Sequence, residues 1–440
     1  MSIREIVSPF FAARIVSEKR QMEARAAAEK ARRKAGAPHE IFYFHQPDDP
    51  YAVLAAQLLQ NLTERFDIKL TPMLVPPPAD NDAPEREALI NYSRRDGAML
   101  AQKYGLSFDD PGRQPDGALT ALAHRILASA IAKERFPEAV CAVDRALWQE
   151  DTGRIDALAG EFGMAGEAET AHAMQKGAEM RRRLGHYLGG VFCYAGEQYW
   201  GVDRLHHLET RLHALGAYIG PEPFAPLKPP PALMARPGDE APGPAIDFFL
   251  SLRSPYAHVA APQLFALAWH HNCPVRLRFV LPMMMRGIPA SFQKQTYIMR
   301  DAKREAARAG IGFGRIADPF GKPSERGLAL IPYAVSQGKG EAFVLSFLSG
   351  VWAEAIRSGF NPGLKKIVTR AGLDWKEAKA FLGDESWREE AEENRKALFE
   401  HGLWGVPTFA VGDIAVWGQD RLWAVEDEII RLKEKTRTQG

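Results

Sequence analysis

Three short stretches hold the residues best suited to chemistry: Ser254 before Pro255-Tyr256-Ala257, the run Gly405-Val406-Pro407-Thr408, and Trp417-Gly418-Gln419-Asp420. Serine followed by proline marks a helix start. The hydroxyl accepts from the free amides of the first turn, and proline is tolerated at the first helical position. A serine hydroxyl is also a donor, available to a charge placed at that helix end. Asp420 at the start of the last helix is a second capping residue. The three cysteines, Cys141, Cys193 and Cys273, lie far apart with no C-x-x-C, so neither a redox dithiol nor a metal knuckle is written here and no metal is expected.

These stretches sit in a sentence that the chain writes twice. IDFFLSLRSPYAHVAA near residue 250 repeats IFYFHQPDDPYAVLAA at an offset of 205, which pairs Pro255 with Pro50, Tyr256 with Tyr51 and Ser254 with Asp49. The offset holds further on, with Tyr297 and Asp301 over Tyr92 and Asp96 and with Gly310 and Phe313 over Gly105 and Phe108. VWGQDRL, ending at Leu422, matches YWGVDRL, ending at Leu205, at an offset of 217, so the second copy carries 12 extra residues in its middle. Between the copies, residues 220–244 hold nine prolines, a stiff extended connector that neither pairs into a sheet nor continues a helix. The expected organisation is a charged helical extension over 1–37, a first domain over 38–219, a linker over 220–244 and a second domain over 245–440. The extension has nine Lys or Arg against four Glu from Met1 to Gly36, and its apolar start, Ile3 to Val16, is expected to pack on the first domain.

The elements that must position the three stretches follow from pattern. AIDFFL reads as a short apolar strand, and SPYAHVAAPQLFALAWHH as a helix opening at Ser254. PVRLRFVL alternates Val275, Leu277 and Phe279 on one face. A helical region follows from about Gln293 to His401, broken at ADPFGKP, SGFNPG and AGLD. VPTFAVGDIAVWG then makes two short strands around a Gly412-Asp413 turn, before a last helix from about Asp420. Strand, helix, strand, helical block, hairpin and helix is the order of an α/β thioredoxin-like domain with a helical insertion in its middle, here as two tandem copies.

With LRSPYA, GLWGVPTF, WGQDRL and the spacing of Trp387, Asn394 and Gly402, the second copy resembles the DsbA-like thioredoxin-fold family. Within that family it is similar to the group of 2-hydroxychromene-2-carboxylate isomerase and the kappa-class glutathione transferases. The resemblance implies a glutathione-dependent isomerase, or a kappa-type transferase, acting on a small aromatic or unsaturated acid. Ser254 stands where the dithiol members have cysteine and would donate to the thiolate of bound glutathione, which the helix dipole also favours. The resemblance also implies that Pro407 is cis and lets the Val406 backbone pair with the peptide-like ligand. Trp417, Gly418, Gln419 and Asp420 would hold its glutamyl end. Tyr256, Arg286, Lys294 and Asn394 are weaker candidates for the co-substrate, the two cations suiting a carboxylate and the methionines of PMMMRG a flat ring.

The first copy keeps the scaffold letters and loses the chemical ones. Asp49 is a good cap but a poor thiolate neighbour, and LGGVFCYAG lacks the proline, so this domain is read as silent toward glutathione, shaping or covering the second. Two copies in one chain could mimic a dimer. A formal net charge of +1 argues against nucleic-acid binding by bulk charge, and no run of 18 apolar residues provides a membrane span. The expectation is a cytoplasmic protein with a small-molecule substrate; the alternative is a non-catalytic peptide- or glutathione-binding member of the DsbA-like family that lacks C-x-x-C.

Overall fold

The computed structural model describes residues 13–233, 241–288 and 290–439. The chain divides into an N-terminal unit, Met22–Pro230 with Ser291–Tyr297, and a C-terminal unit, Met1–Gln21 with Pro231–Ala290 and Ile298–Gly440.

The charged, alanine-rich segment forms helix α1 (Glu18–Lys34) as the sequence predicts, and from Met22 on it belongs to the N-terminal unit. Strand β1 (His39–His45), helices α2 (Pro50–Ala56) and α3 (Leu59–Arg65) and strand β2 (Ile68–Leu74) follow. Five helices come next, α4 (Arg86–Tyr104), α5 (Gly117–Ala132), α6 (Phe136–Trp148), α7 (Thr152–Phe162) and α8 (Glu167–Arg183). A hairpin of β3 (Val191–Tyr194) and β4 (Glu197–Trp200) and helix α9 (Val202–Ala214) close the unit. The sheet order is β2-β1-β3-β4, with β1 parallel to β2 and antiparallel to β3. Tyr43, Phe44, Val191 and Phe192 at its centre are fully buried.

The C-terminal unit repeats that plan. It comprises β5 (Ile246–Leu250), α10 (Pro255–His270), β6 (Val275–Phe279), then α11 (Phe292–Arg308) from Ile298 on, α12 (Lys322–Ser336), α13 (Gly340–Trp352), α14 (Asn361–Arg370), α15 (Trp375–Ala378) and α16 (Trp387–Glu400). The hairpin β7 (Thr408–Val411) and β8 (Ile414–Trp417) leads through a 3-10 turn, Gln419–Arg421, into α17 (Leu422–Gln439). Its sheet order is β6-β5-β7-β8 with the same parallel and antiparallel sense. The register coincides as well: Phe249 faces Thr408 as Phe44 faces Val191, at offsets of 205 and 217. The Val280 amide donates to the Leu250 carbonyl at 2.9 Å, as the Val75 amide does to His45.

Two expectations about the segments outside the repeats change. The described residues of the N-terminal extension do not all join the first domain. Residues 13–21 group with the C-terminal unit, where Val16 is buried beside Gly314, while residues 1–12 lie outside the described residues. The first part of the proline-rich connector is not a free spacer but is fastened to the N-terminal unit. The Leu227 amide donates to the buried carboxylate of Glu209, Arg65 donates to the Ala225 carbonyl at 2.5 Å, and the Glu222–Pro223 bond is cis.

The mid-helix Gly177 lets α8 lie directly on β2, since a Cβ there would come within 1.9 Å of the Leu74 carbonyl oxygen. Gly177→Ala is therefore expected to destabilise the N-terminal unit by about 3 kcal/mol or more, because backbone rather than a movable side chain blocks the methyl. Urea unfolding of the variant beside the parent checks this; an unchanged midpoint contradicts the close packing.

Candidate functional site

Ser254 has extended backbone angles and caps α10, with Pro255 as the first helical residue. Its Oγ accepts from the Ala257 amide at 3.1 Å and donates to the Val406 carbonyl at 3.3 Å. The Val406–Pro407 bond is cis, as the resemblance implied. One hydroxyl thus joins the helix start to the loop that enters β7. The hydroxyl has only that one long donor bond, so its proton is free to turn toward a stronger acceptor in the same place.

The third stretch closes on this loop. The Gly418 amide donates to the Pro407 carbonyl at 3.0 Å. Trp417 packs on Trp404 with ring centroids 4.9 Å apart, and a Cβ at Gly405 would strike the Trp417 ring, so glycine is required there. Gln419 is buried, and its Nε2 has no hydrogen-bond partner. Asp420 lies inside the 3-10 turn, and its carboxylate pairs with the Arg421 guanidinium at 3.3 Å.

The weaker candidates have different places. The Tyr256 hydroxyl donates to the buried Asp301 at 2.9 Å. Tyr51 donates to Asp96 at 2.8 Å in the same way, so this clasp between the first helix and the helix after the second parallel strand accounts for the repeated Tyr and Asp letters. Asn394, 1% exposed, holds the end of β6 by donating to the Phe279 carbonyl at 3.1 Å and accepting from Arg278 at 3.4 Å. Arg286 ends a 3-10 turn of half-buried methionines and helps hold the Glu392 carboxyl below its usual range, after the larger effect of Arg395. Lys294 groups with the N-terminal unit. Its ammonium donates to the Asp82 carbonyl at 2.7 Å and lies over the Tyr187 ring, and burial lowers its pKa.

Sequence reasoning missed Arg253 beside the serine. It forms a two-point ion pair with Asp318, Nε to Oδ1 at 2.7 Å and Nη2 to Oδ2 at 2.9 Å, and covers the Phe320 ring. The pairing crosses 65 residues, and no local spacing announces it. No cysteine stands at the helix start: Cys141 is half-buried, Cys193 and Cys273 are buried, none of the three is in a disulfide, and burial pushes the Cys193 thiol up to about 12.

Residues 245–430 match the family described as DSBA-like thioredoxin domain. Over 195 residues, 42% of this chain and 95% of the relative, the sequence is 25% identical to a 2-hydroxychromene-2-carboxylate isomerase of Pseudomonas putida. The solved structure of a 2-hydroxychromene-2-carboxylate isomerase covers 44% of this chain and 99% of its own, at 24% identity and a TM-score of 0.39. The cytosolic disulfide reductase DsbM from Pseudomonas aeruginosa, solved with GSH, covers 44% of this chain and 99% of its own at 20% identity and a TM-score of 0.32.

Removing the Tyr256 hydroxyl leaves the buried Asp301 carboxylate short of a donor. Tyr256→Phe is expected to cost about 1–3 kcal/mol, and Tyr51→Phe a similar amount in the N-terminal unit. Urea denaturation of both variants checks this; no loss in either would reduce the clasp to a coincidence of the two helices.

Proposed function

We propose that the C-terminal unit binds glutathione at the Ser254 end of α10 and works as a glutathione-dependent isomerase of the 2-hydroxychromene-2-carboxylate type on a small aromatic or unsaturated acid. A kappa-type transfer reaction is the alternative at the same site. The observation that carries the reading is the Ser254 hydroxyl at a helix N-terminus, beside the carbonyl that precedes a cis proline, in a half of the chain whose relatives are named as isomerases.

The residues present fit such a ligand. Gln419 Nε2 is a buried donor without a partner in the stretch expected to meet the glutamyl end. The Val406 backbone next to the cis bond would pair with the peptide-like portion, and Trp417, Gly418 and Asp420 would complete the glutamyl subsite. Bound there, glutathione supplies a thiolate nucleophile for reversible addition to an activated double bond. The chain's own part is to hold the charge. The Ser254 hydroxyl turns its proton from the Val406 carbonyl to the sulfur, and the free amides and dipole of α10 favour a negative charge at that point. Trp404 and Trp417 shield the loop from water. With serine in place of cysteine, disulfide exchange is outside this site's chemistry.

The first half is proposed to be a duplicated copy of the same plan, silent toward glutathione because Asp49 replaces Ser254 and would repel a thiolate. The two copies would give one chain the form of a dimer, acting on a small molecule in the cytoplasm.

Calorimetric titration of the full chain with glutathione tests the reading; absence of saturable binding overturns it and favours a peptide-binding role. Ser254→Ala is expected to raise the pKa of the bound thiol by about one to two units, with much less effect on affinity, because the backbone and glutamyl contacts remain. Ser254→Asp should raise it further. The ultraviolet absorbance of the thiolate against pH is the measurement, and an unchanged pKa in both variants would leave Ser254 as a helix cap alone.

A further inference from the structure

A cavity of about 370 Å³ lies in the N-terminal unit beside helix α1. Ala28 of α1 lines it from one helix and Arg211 and Ala214 of α9 from another, while Phe42 of β1, Tyr194 of β3 and Leu215 add apolar surface. Arg25 also lines it and fastens α1 to the β3–β4 hairpin. Its guanidinium takes both oxygens of Glu197, Nε to Oε1 at 2.5 Å and Nη2 to Oε2 at 2.7 Å.

Charge is unevenly matched around this space. The same Glu197 carboxylate is met by a second guanidinium, with Arg211 Nη1 3.2 Å from Oε1. The two carboxylates of the lining are already engaged. Arg32 holds Glu29 at 2.8 and 2.9 Å and Arg33 holds it at 2.5 Å, while Lys69 pairs with Glu40 at 3.2 Å and the Thr71 hydroxyl donates to it at 2.7 Å. In these pairings five cations, Arg25, Arg32, Arg33, Lys69 and Arg211, meet three carboxylates.

Arg211 is the most enclosed of the five, at 9% exposed. Its Nη1 also donates to the Tyr194 carbonyl at 3.2 Å and to the Tyr199 hydroxyl at 3.3 Å, and its Cζ lies 4.7 Å from the centre of the Tyr194 ring. All of these bonds run through Nη1, so Nε and Nη2 have no hydrogen-bond partner among the described residues. A buried guanidinium that shares its one carboxylate carries a free-energy cost that a further anion would lower. Nε and Nη2 together form a planar edge that grips a carboxylate at two points.

We propose that this cavity binds a small apolar monocarboxylate, its two oxygens accepting from Nε and Nη2 of Arg211 and its hydrocarbon part resting against Phe42, Ala28 and Leu215. The volume stands at the small end of the range of ligand sites, about 300–1,000 Å³, and so suits a single ring or a short chain. A dianion without an apolar body is disfavoured, because Glu29 and Glu40 line the same space and would repel it. Every residue named lies in the N-terminal unit, so binding is expected with or without glutathione present.

Calorimetric titration of the full chain with benzoate and with hexanoate tests the site. Both acids are expected to saturate, and benzamide, which keeps the ring and loses the charge, should bind at least about tenfold more weakly. Ala28→Phe and Ala214→Phe fill the cavity from its two helices; Ala28 is half-buried and Ala214 exposed, so the fold should accept both. Each is expected to weaken the acids about tenfold or more. Arg211→Gln should do the same, and since it also gives up contacts of the fold, the two alanine positions decide the matter if it does not fold. The proposal is overturned if neither acid binds saturably, if benzamide matches benzoate, or if inorganic phosphate binds more tightly than both acids. It is equally overturned if affinity is unchanged in both Ala28→Phe and Ala214→Phe, which would put the acid elsewhere in the chain.

Discussion

Everything at the C-terminal site depends on holding the start of one helix against the loop that enters one strand. Strand β5 pairs with β6 on one side and β7 on the other, so the ends of all three lie together and the chain must turn into α10 right beside the turn into β7. That junction is crowded with backbone groups that no strand or helix satisfies. A serine hydroxyl that accepts from Ala257 and donates to Val406 serves both sides of it at once. The proline then has a clear part, since it has no amide to satisfy at the point of closest approach. The Pro407 carbonyl is free to take the Gly418 amide, which draws the Trp417–Asp420 stretch onto the same spot.

The N-terminal unit meets the same constraint with other residues, which separates the constraint from the chemistry. Asp49 caps α2 through the Tyr51 amide, and the Gly190 carbonyl accepts from Gly201 at 2.8 Å as Pro407 does from Gly418. Gly190 has φ of 64°, a conformation that favours glycine, and a Cβ there would press on the Tyr51 and Ala52 backbone at 3.0 Å. The proline position is therefore filled by Gly190. Replacing Val-Pro by Gly-Gly lets this loop approach Asp49 and Gln46 closely, since a Cβ on Gly189 would lie 2.8 Å from Asp49 Oδ2 and from Gln46 Cβ.

Much of this was legible in the sequence because it is local. Ser-Pro and Asp-Pro placed the helix starts at α10 and α2, and alternation at Val275, Leu277 and Phe279 placed β6. The Gly412-Asp413 pair placed a hairpin whose register the structure matches from Val411 and Ile414 outward. The repeated Tyr and Asp letters signalled a contact whose nature, Tyr256 to Asp301, only the fold reveals. What was illegible is long-range. Arg253 finds Asp318 across 65 residues, and Lys294 finds the carbonyl of Asp82 across 212. Neither choice is encoded in spacing. Lys294 and Asn394 looked like exposed polar candidates because a single sequence shows residue type but not enclosure, and both prove to be holding backbone carbonyls.

Enclosure also separates the two units chemically. In water, Asp49 and Ser254 would be two ordinary helix caps with similar tasks. Desolvation penalises only the charged one, so burial moves the Asp49 proton into the neutral range and leaves the Ser254 hydroxyl neutral throughout. A neutral donor at a helix N-terminus suits a sulfur anion, which needs a fixed dipole and no competing negative charge. One change of residue at the same backbone position, Ser to Asp, thus replaces a hydroxyl that stays neutral with a carboxyl whose proton moves into the neutral range, while the strands, their register and the helix that begins there stay as they were.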